Sequence, residues 1–291
     1  STTCIIYNTN LMTFSIITTI HNLLPSTFTY MNFNFICKLF DYIWANLYNN
    51  VMKQIKKILK GRHTLIFVDF EGTQFTHEVI ASGLLKCKID DNCNIISEDE
   101  GLLFYSKPKA SIGKIVSDIT SLTDEFLKQN GLSWEDSINK INEYIGEDKD
   151  IVFICFGSND PKMILESCRI SHPDNSIIAK SWLNNFFDFS TFISQFIRDE
   201  KNNTYSLINF LKLYNLEPVG VSHNPLNDAK DLKNLYQAFL SKPEIRINEY
   251  KKILARFKVL PQPIKPIIED LLNGKTVSPS KLNKLIKDYL A

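Results

Sequence analysis

The sequence predicts a mixed α/β fold on one sheet, antiparallel on one side and parallel on the other, with flanking helices and helical extensions at both ends. Three observations predict it. Apolar runs of strand length near 65–70, 78–88 and 101–106 follow one another with short connections, which favours a meander of three antiparallel strands. From Ile151 onward, strand-like runs alternate with helical periodicity, the pattern of parallel strands joined by crossover helices. The chain has 291 residues, 44% hydrophobic and 22% charged, enough to bury a core and ordinary for a globular protein.

The N-terminal stretch carries little charge: up to Val51 the only charged side chains are Lys38 and Asp41. No basic segment precedes an apolar run, so it does not read as a signal peptide, and polar residues interrupt every run well short of a membrane span. From Phe35, the residues Ile36, Phe40, Ile43, Leu47, Val51, Ile55 and Ile58 recur every three or four positions, one apolar face of a helix expected over 35–60. Residues 1–30 read as an upstream extension, with Met52 a candidate natural start. Lys53, Lys56, Lys57, Lys60 and Arg62 close the helix, where cations suit its C-terminal dipole and face solvent or phosphates.

The first strand, Leu65 to Phe70, ends on Asp69 and Glu71. Their i, i+2 spacing puts both carboxylates on one face of a strand, about 7 Å apart. Paired acids repel each other and resist burial, so such a strand end either points to water or holds a cation. Gly72 follows, where backbone can turn or admit a ligand. After two further strands, 78–88 and 101–106, joined by an acidic loop, helices are expected over 123–130 and 133–145, the second capped by Ser133. Ile151 to Phe156 reads as a strand buried on both faces, and Pro161 to Arg169 as a helix. A strand near Ile177–Trp182 and helices at 186–198, 205–214 and 224–240 complete the body.

Beyond it, Lys242 to Ala291 holds 11 Lys+Arg against 5 Asp+Glu. The expected organisation is an N-terminal extension over 1–60, a core domain over 61–241 and a basic helical appendage over 242–291, whose last helix starts at Pro279. The six cysteines show no metal-binding or disulfide spacing, and Cys155 reads as a core thiol, which fits a reducing, cytoplasmic setting.

Two further acids stand out by position. Asp160 follows the buried strand and precedes Pro161, a place that suits either a ligand-binding acid at the carboxyl edge of a sheet or an ordinary helix cap. Asp228 lies on the expected first turn of the 224–240 helix, with His223 just outside it and Asn224-Pro225 as cap and first helical residue. An acid there also suits the helix dipole on purely structural grounds.

The ordered set D-x-E (Asp69, Glu71), then Asp160 after a buried strand, then H-x4-D (His223, Asp228), resembles the DEDDh 3′→5′ exonuclease superfamily, whose fold is ribonuclease-H-like. The resemblance covers about residues 64–240. Ile119-Thr-Ser-Leu-Thr123 is similar to the family's T-G-I-T segment, and Lys180-Ser-Trp182 resembles the Trp-containing strand of its histone-mRNA and small-RNA trimming branch. Asn159 before the second acid, Ser121 in place of a glycine, and Asn224-Pro225 after the histidine depart from the family pattern.

The resemblance implies removal of nucleoside monophosphates from single-stranded 3′ ends of RNA or DNA, with RNA slightly favoured. Two Mg²⁺ ions, replaceable by Mn²⁺, would be held by Asp69, Glu71, Asp160 and Asp228, in keeping with an all-oxygen donor set. His223 would act as general base, a task suited to imidazole near neutral pH. Gly72 and Thr73 would meet the terminal sugar, and Phe75 would stack a base, although Phe75 also reads as core. A binding module on the same fold, or a double-strand-specific endonuclease that has no use for His223, are the rival readings. No membrane partner is expected.

Overall fold

The computed structural model describes residues 51–148, 150–255, 266, 270 and 278–290. The chain divides into two compact units, of which Val51–Arg256 carries the sheet. It opens on helical residues 51–59 (α1), whose Val51 and Ile55 are buried as expected, with Leu59 buried in place of the expected Ile58, which is half-buried, while Lys53, Lys56 and Lys57 stay exposed. Lys60 and Gly61 end α1 with φ of 54° and 74°. The rest of the helix expected over 35–60 lies outside the described residues.

Six strands form one sheet: β1 (Thr64–Gly72), β2 (Val79–Ile89), β3 (Ile95–Glu98), β4 (Leu102–Tyr105), β5 (Ile151–Cys155) and β6 (Phe186–Asp188). The order is β3-β2-β1-β5-β6, and β4 also pairs with β2. β1 runs antiparallel to β2 and parallel to β5, which is itself parallel to β6. The mixed sheet is therefore the expected one, enlarged by β3, which lies in the stretch read as an acidic loop. Ile95 and Ile96 are too few to announce a strand, and only the length of β2 gives β3 and β4 room on one edge.

The sheet alternation sorts β1 into two rows. Ile66, Val68 and Phe70 face one core with Trp134, Ile138, Ile141, Ile164 and Trp182. Leu65 and Phe67 face the other, with Leu232, Leu235, Tyr236 and Phe239 of the long helix Pro225–Ser241. Asp69 and Glu71 continue that second row, so the strand passes from core to site without changing face.

Between the sheet strands lie α2 (Lys114–Thr120), α3 (Asp124–Asn130), α4 (Trp134–Ile145), α5 (Asn159–Ser171) and α6 (Ser176–Trp182), and after β6 come α7 (Phe189–Ile193), α8 (Leu207–Leu213), α9 (Pro225–Ser241) and α10 (Pro243–Ala255). Ser133 caps α4 by accepting the Asp136 N–H at 3.0 Å, as expected.

Two expected elements are corrected. Ile177–Trp182, read as a strand, belongs to α6: Ala179 and Trp182 are buried three apart while Ile177 is 77% exposed, a helical spacing hidden by the β-branched run. The span 186–198, read as one helix, instead begins with β6 and continues as the five-residue α7. Asp188 makes the switch, its Oδ1 accepting the N–H of Thr191 at 3.1 Å and that of Gly157 at 2.9 Å.

Helix α10 is fixed by Arg246, whose guanidinium lies 4.5 Å from the Phe239 ring centre and donates to the Phe239 carbonyl at 2.6 Å. In the other unit the described helix α11 (Pro279–Leu290) starts at the predicted proline. No helix among the described residues is long and apolar enough to cross a membrane. Cys87, Cys93, Cys155 and Cys168 are free and buried.

Candidate active site

The site lies where β1 outruns its parallel neighbour. β5 pairs with β1 only from Thr64 to Phe67, so the last residues of β1 have no strand on that side. The Phe70 N–H is taken instead by Asp160 Oδ1 at 2.9 Å. Asp160 stands inside the first turn of α5, and Ser158 is the N-cap residue. Its carboxylate thus crosses to the strand rather than closing its own helix. Burial pushes Asp160 up to about 7, against the pull of the Phe70 N–H and its own backbone, with Glu71 and Asp188 adding repulsion.

Asp69 is driven well above the ordinary carboxylate range, first by burial and then by the charges of Asp160, Glu71 and Asp228. No donor among the described residues hydrogen-bonds to its carboxylate. Burial, then Asp228, raises Glu71 to about 7. Asp228 is also raised by burial, partly offset by the N–H and the charge of His223. No lysine or arginine is among the groups acting on these four acids.

Helix α9 delivers the remaining pair. Asn224 caps it through Oδ1, accepting from Leu226 N–H at 3.1 Å and Asn227 N–H at 3.3 Å, with Pro225 first in the helix as predicted. His223 sits just outside at φ 62°, its backbone N–H donating to Asp228 Oδ2 at 3.0 Å. Its Nδ1 lies 3.6 Å from Glu71 Oε1, an ion pair when the imidazole is protonated. Glu71, His223 and Asp228 each offer an atom within 4.8 Å of the others, close enough to share one ion.

This approach depends on a glycine that sequence reading passed over. Gly83 on β2 stands opposite Asp69, and a Cβ there would lie 2.0 Å from the Pro225 carbonyl carbon and 2.2 Å from the Leu226 nitrogen. Only a bare strand lets the start of α9 come down onto the acid pair. A glycine within an apolar strand run is the signal that marks such a contact. Asp231, one turn beyond Asp228, ties down the histidine loop by accepting the Val219 N–H at 2.9 Å. Nothing in its spacing foretells that.

Of the other expected site residues, Gly72 closes β1 beside the Met163 side chain. Thr73 is buried, with its hydroxyl accepting the Glu78 N–H at 3.0 Å and meeting Thr76 Oγ1 at 2.7 Å. Its backbone is engaged in the same turn, the N–H donating to the Glu78 carbonyl at 2.9 Å and the carbonyl accepting the His77 N–H at 3.3 Å. Phe75 is 78% exposed at the tip of the turn, which excludes the core reading.

Oxygen ligands with one imidazole suit a hard divalent cation, and acids raised together with no cationic side chain to offset them fit its charge.

No protein-family model matches the sequence, and no curated protein matches it. Solved structures do match. The nuclease domain of 3′hExo, a DEDDh family member, bound to rAMP, superposes with a TM-score of 0.52 at 15% identity, covering 62% of this chain and 92% of that one. A 3′-exonuclease described for 3′-end specific recognition of histone mRNA stem-loop gives 0.51 at 14%, covering 62% and 82%. Cell-death related nuclease 4 gives 0.51 at 17%, covering 62% and 64%. The chain thus shares the ribonuclease-H-like fold of the DEDDh exonucleases.

Proposed function

We propose that this protein is a metal-dependent 3′→5′ exonuclease acting on single-stranded 3′ ends. The observation that carries the proposal is the convergence of Asp69, Glu71, Asp160 and Asp228 with His223, all four acids pushed upward and none offset by a lysine or arginine.

Asp69, Glu71, Asp160 and Asp228 would hold two Mg²⁺ or Mn²⁺ ions. Bound there, the ions supply charge neutralisation for the cage and electrostatic stabilisation for a phosphodiester under attack. His223 is the general base: half exposed beside Glu71, it takes the proton of the water whose oxygen attacks phosphorus as the bond to the leaving 3′-oxygen breaks. Glu71 orients the imidazole. The Gly72–Thr73 backbone meets the terminal sugar, and exposed Phe75 gives a base a ring to stack on.

RNA is the favoured substrate. The Trp182 resemblance no longer supports that preference, because Trp182 is buried on α6 against Phe153. Support comes instead from the two similar structures described with rAMP and with histone mRNA.

The test is nucleotide release from matched 3′-labelled RNA and DNA oligomers with Mg²⁺ or after chelation. Wild type should release mononucleotides only with metal, and Asp69→Ala and Asp228→Ala should release none while remaining folded. Equal trimming by both variants, or no release with either metal, would refute the proposal. A mere binding module would retain the oligomer uncut.

A further inference from the structure

A cleft of about 470 Å³ opens between the 107–109 loop, the end of α3, the first turn of α4 and the end of α5. Trp134 forms its floor, buried, with the indole N–H donating to Cys168 Sγ at 3.3 Å. On the rim stand Lys107, Lys109 and Lys128 with His172, facing the single carboxylate of Glu135. None of the three ammonium groups is in a salt bridge among the described residues. A second cleft of about 580 Å³ shares His172 and Pro173 and adds Lys180 and Arg169, the latter 2.7 Å from Glu166. This surplus of positive charge belongs to a unit in which acids slightly outnumber bases.

Two links, one of hydrogen bonds and one a helix, join the cleft to the acid site. The backbone N–H groups of Lys109 and Ala110 donate to Glu78 at 2.7 and 3.1 Å, pinning the lysine loop to the foot of the turn that carries Phe75. Helix α5 starts in the site at Asp160 and ends in the cleft at Ser171, about 17 Å away at 1.5 Å per residue. That is a distance of a few nucleotides.

We propose that this basic cleft holds the phosphodiester backbone of the strand upstream of its 3′ end. The inference rests on reading the acid cage as the seat of that end. Exposed lysines act as separate point charges, without the fork of an arginine pair to frame one phosphate. Trp134 is too buried to stack a base. Such a surface grips backbone without reading sequence, so the protein favours strands long enough to span both places.

The test measures binding of the full chain to a fluorescein-labelled 15-nucleotide oligouridylate by anisotropy, in EDTA so that no cleavage intervenes. Lys107→Ala/Lys109→Ala/Lys128→Ala is compared with Lys53→Ala/Lys56→Ala/Lys57→Ala on α1, which removes the same charge elsewhere. The cleft triple should weaken binding about tenfold at low salt and flatten the plot of log affinity against log salt by about 2, near 0.7 for each phosphate released. The α1 triple should bind like wild type. Equal loss in both triples means a net-charge effect and overturns the proposal, as does no loss in either. It is also overturned if a polyglutamate peptide outcompetes the oligonucleotide with the same lysine dependence, since the cleft would then serve an acidic protein. Should the cleft triple melt early, the Lys→Gln triple takes its place with the same expected result. Cleavage without lysine-dependent binding refutes the cleft alone, and lysine-dependent binding without cleavage refutes the exonuclease reading alone.

Discussion

Two acids of one hairpin, half-buried Asp69 and fully buried Glu78, meet opposite surroundings. Glu78 is held on every side: Thr76 Oγ1 donates to it at 2.8 Å, and the Lys109 and Ala110 N–H groups donate at 2.7 and 3.1 Å. Asp69 faces three other carboxylates and receives no hydrogen bond from the described residues. Glu78 is a structural acid whose charge closes a loop. Asp69 is an acid kept at a cost to the fold, and such groups persist where a ligand completes them. Hydrogen-bond supply, more than burial, separates the two roles.

The comparison breaks most sharply under amide substitution. Asp69→Asn should lower nucleotide release by about 10³-fold, the upper part of the range seen when one charge-stabilising group is lost. It should also raise the melting temperature of the metal-free protein, because an amide escapes the cost of holding an ionisable carboxyl among three other acids. Thermal melts in EDTA beside single-turnover release measure both. A variant that loses activity and melts lower would make Asp69 a structural acid like Glu78.

Gly83→Ala tests whether the cage is assembled by close approach. The added methyl must push the start of α9 away from β2, carrying His223 and Asp228 off the acid pair. A displacement near 1 Å is worth about 10²-fold in rate. The expected outcome is a drop of that size with Mg²⁺ binding weakened and the circular dichroism spectrum retained. Unchanged release would mean that α9 does not position the site.

Glu78→Ala has the converse signature. Stripping a charged acceptor from two backbone donors and a hydroxyl should destabilise the fold by about 3 kcal/mol, read as a shift in denaturant midpoint. Release per folded molecule should change far less than in Asp69→Asn. A full loss of activity in the folded fraction would put Glu78 in the site.

The contrast between these acids also marks what the sequence could disclose. The grouping of Asp69, Glu71, Asp160, His223 and Asp228 was legible because they stand at strand ends and helix starts, positions that periodicity locates. The strands β1 and β2 and helix α9 were legible because their apolar patterns are long, and β5 because every one of its five residues is apolar. What failed was short or doubly apolar: Ile177-Ile178-Ala179 satisfies either period until burial of Trp182 decides, and three residues of β6 leave no pattern at all. The role of Glu78 was invisible because two of its three partners are backbone groups some thirty residues away. Backbone donors leave no mark in a sequence.

A slope of stability with pH is also expected. In the unfolded chain carboxyl groups ionise near pH 4. In the folded, metal-free protein burial and mutual repulsion hold Glu71 and Asp160 protonated to about 7, and Asp69 and Asp228 are shifted the same way. Between pH 4 and 7 the folded state therefore binds more protons than the unfolded state, so stability falls as pH rises, by at most about 1.4 kcal/mol per pH unit for each proton retained. Above about 7 the contributions of Glu71 and Asp160 fade. Acids with lowered values, such as Asp124 and Asp148, act in the other sense but below pH 4, where their own protonation lies. Mg²⁺ should cancel the slope, since it binds the ionised cage, and its stabilising effect should therefore grow from pH 5 to 7. Denaturant midpoints in EDTA and in Mg²⁺ across that window give the answer. A metal-free midpoint that rises with pH, or a Mg²⁺ shift that does not grow, would show that the four carboxylates are not raised together and that Asp69 differs from Glu78 in hydrogen bonding alone.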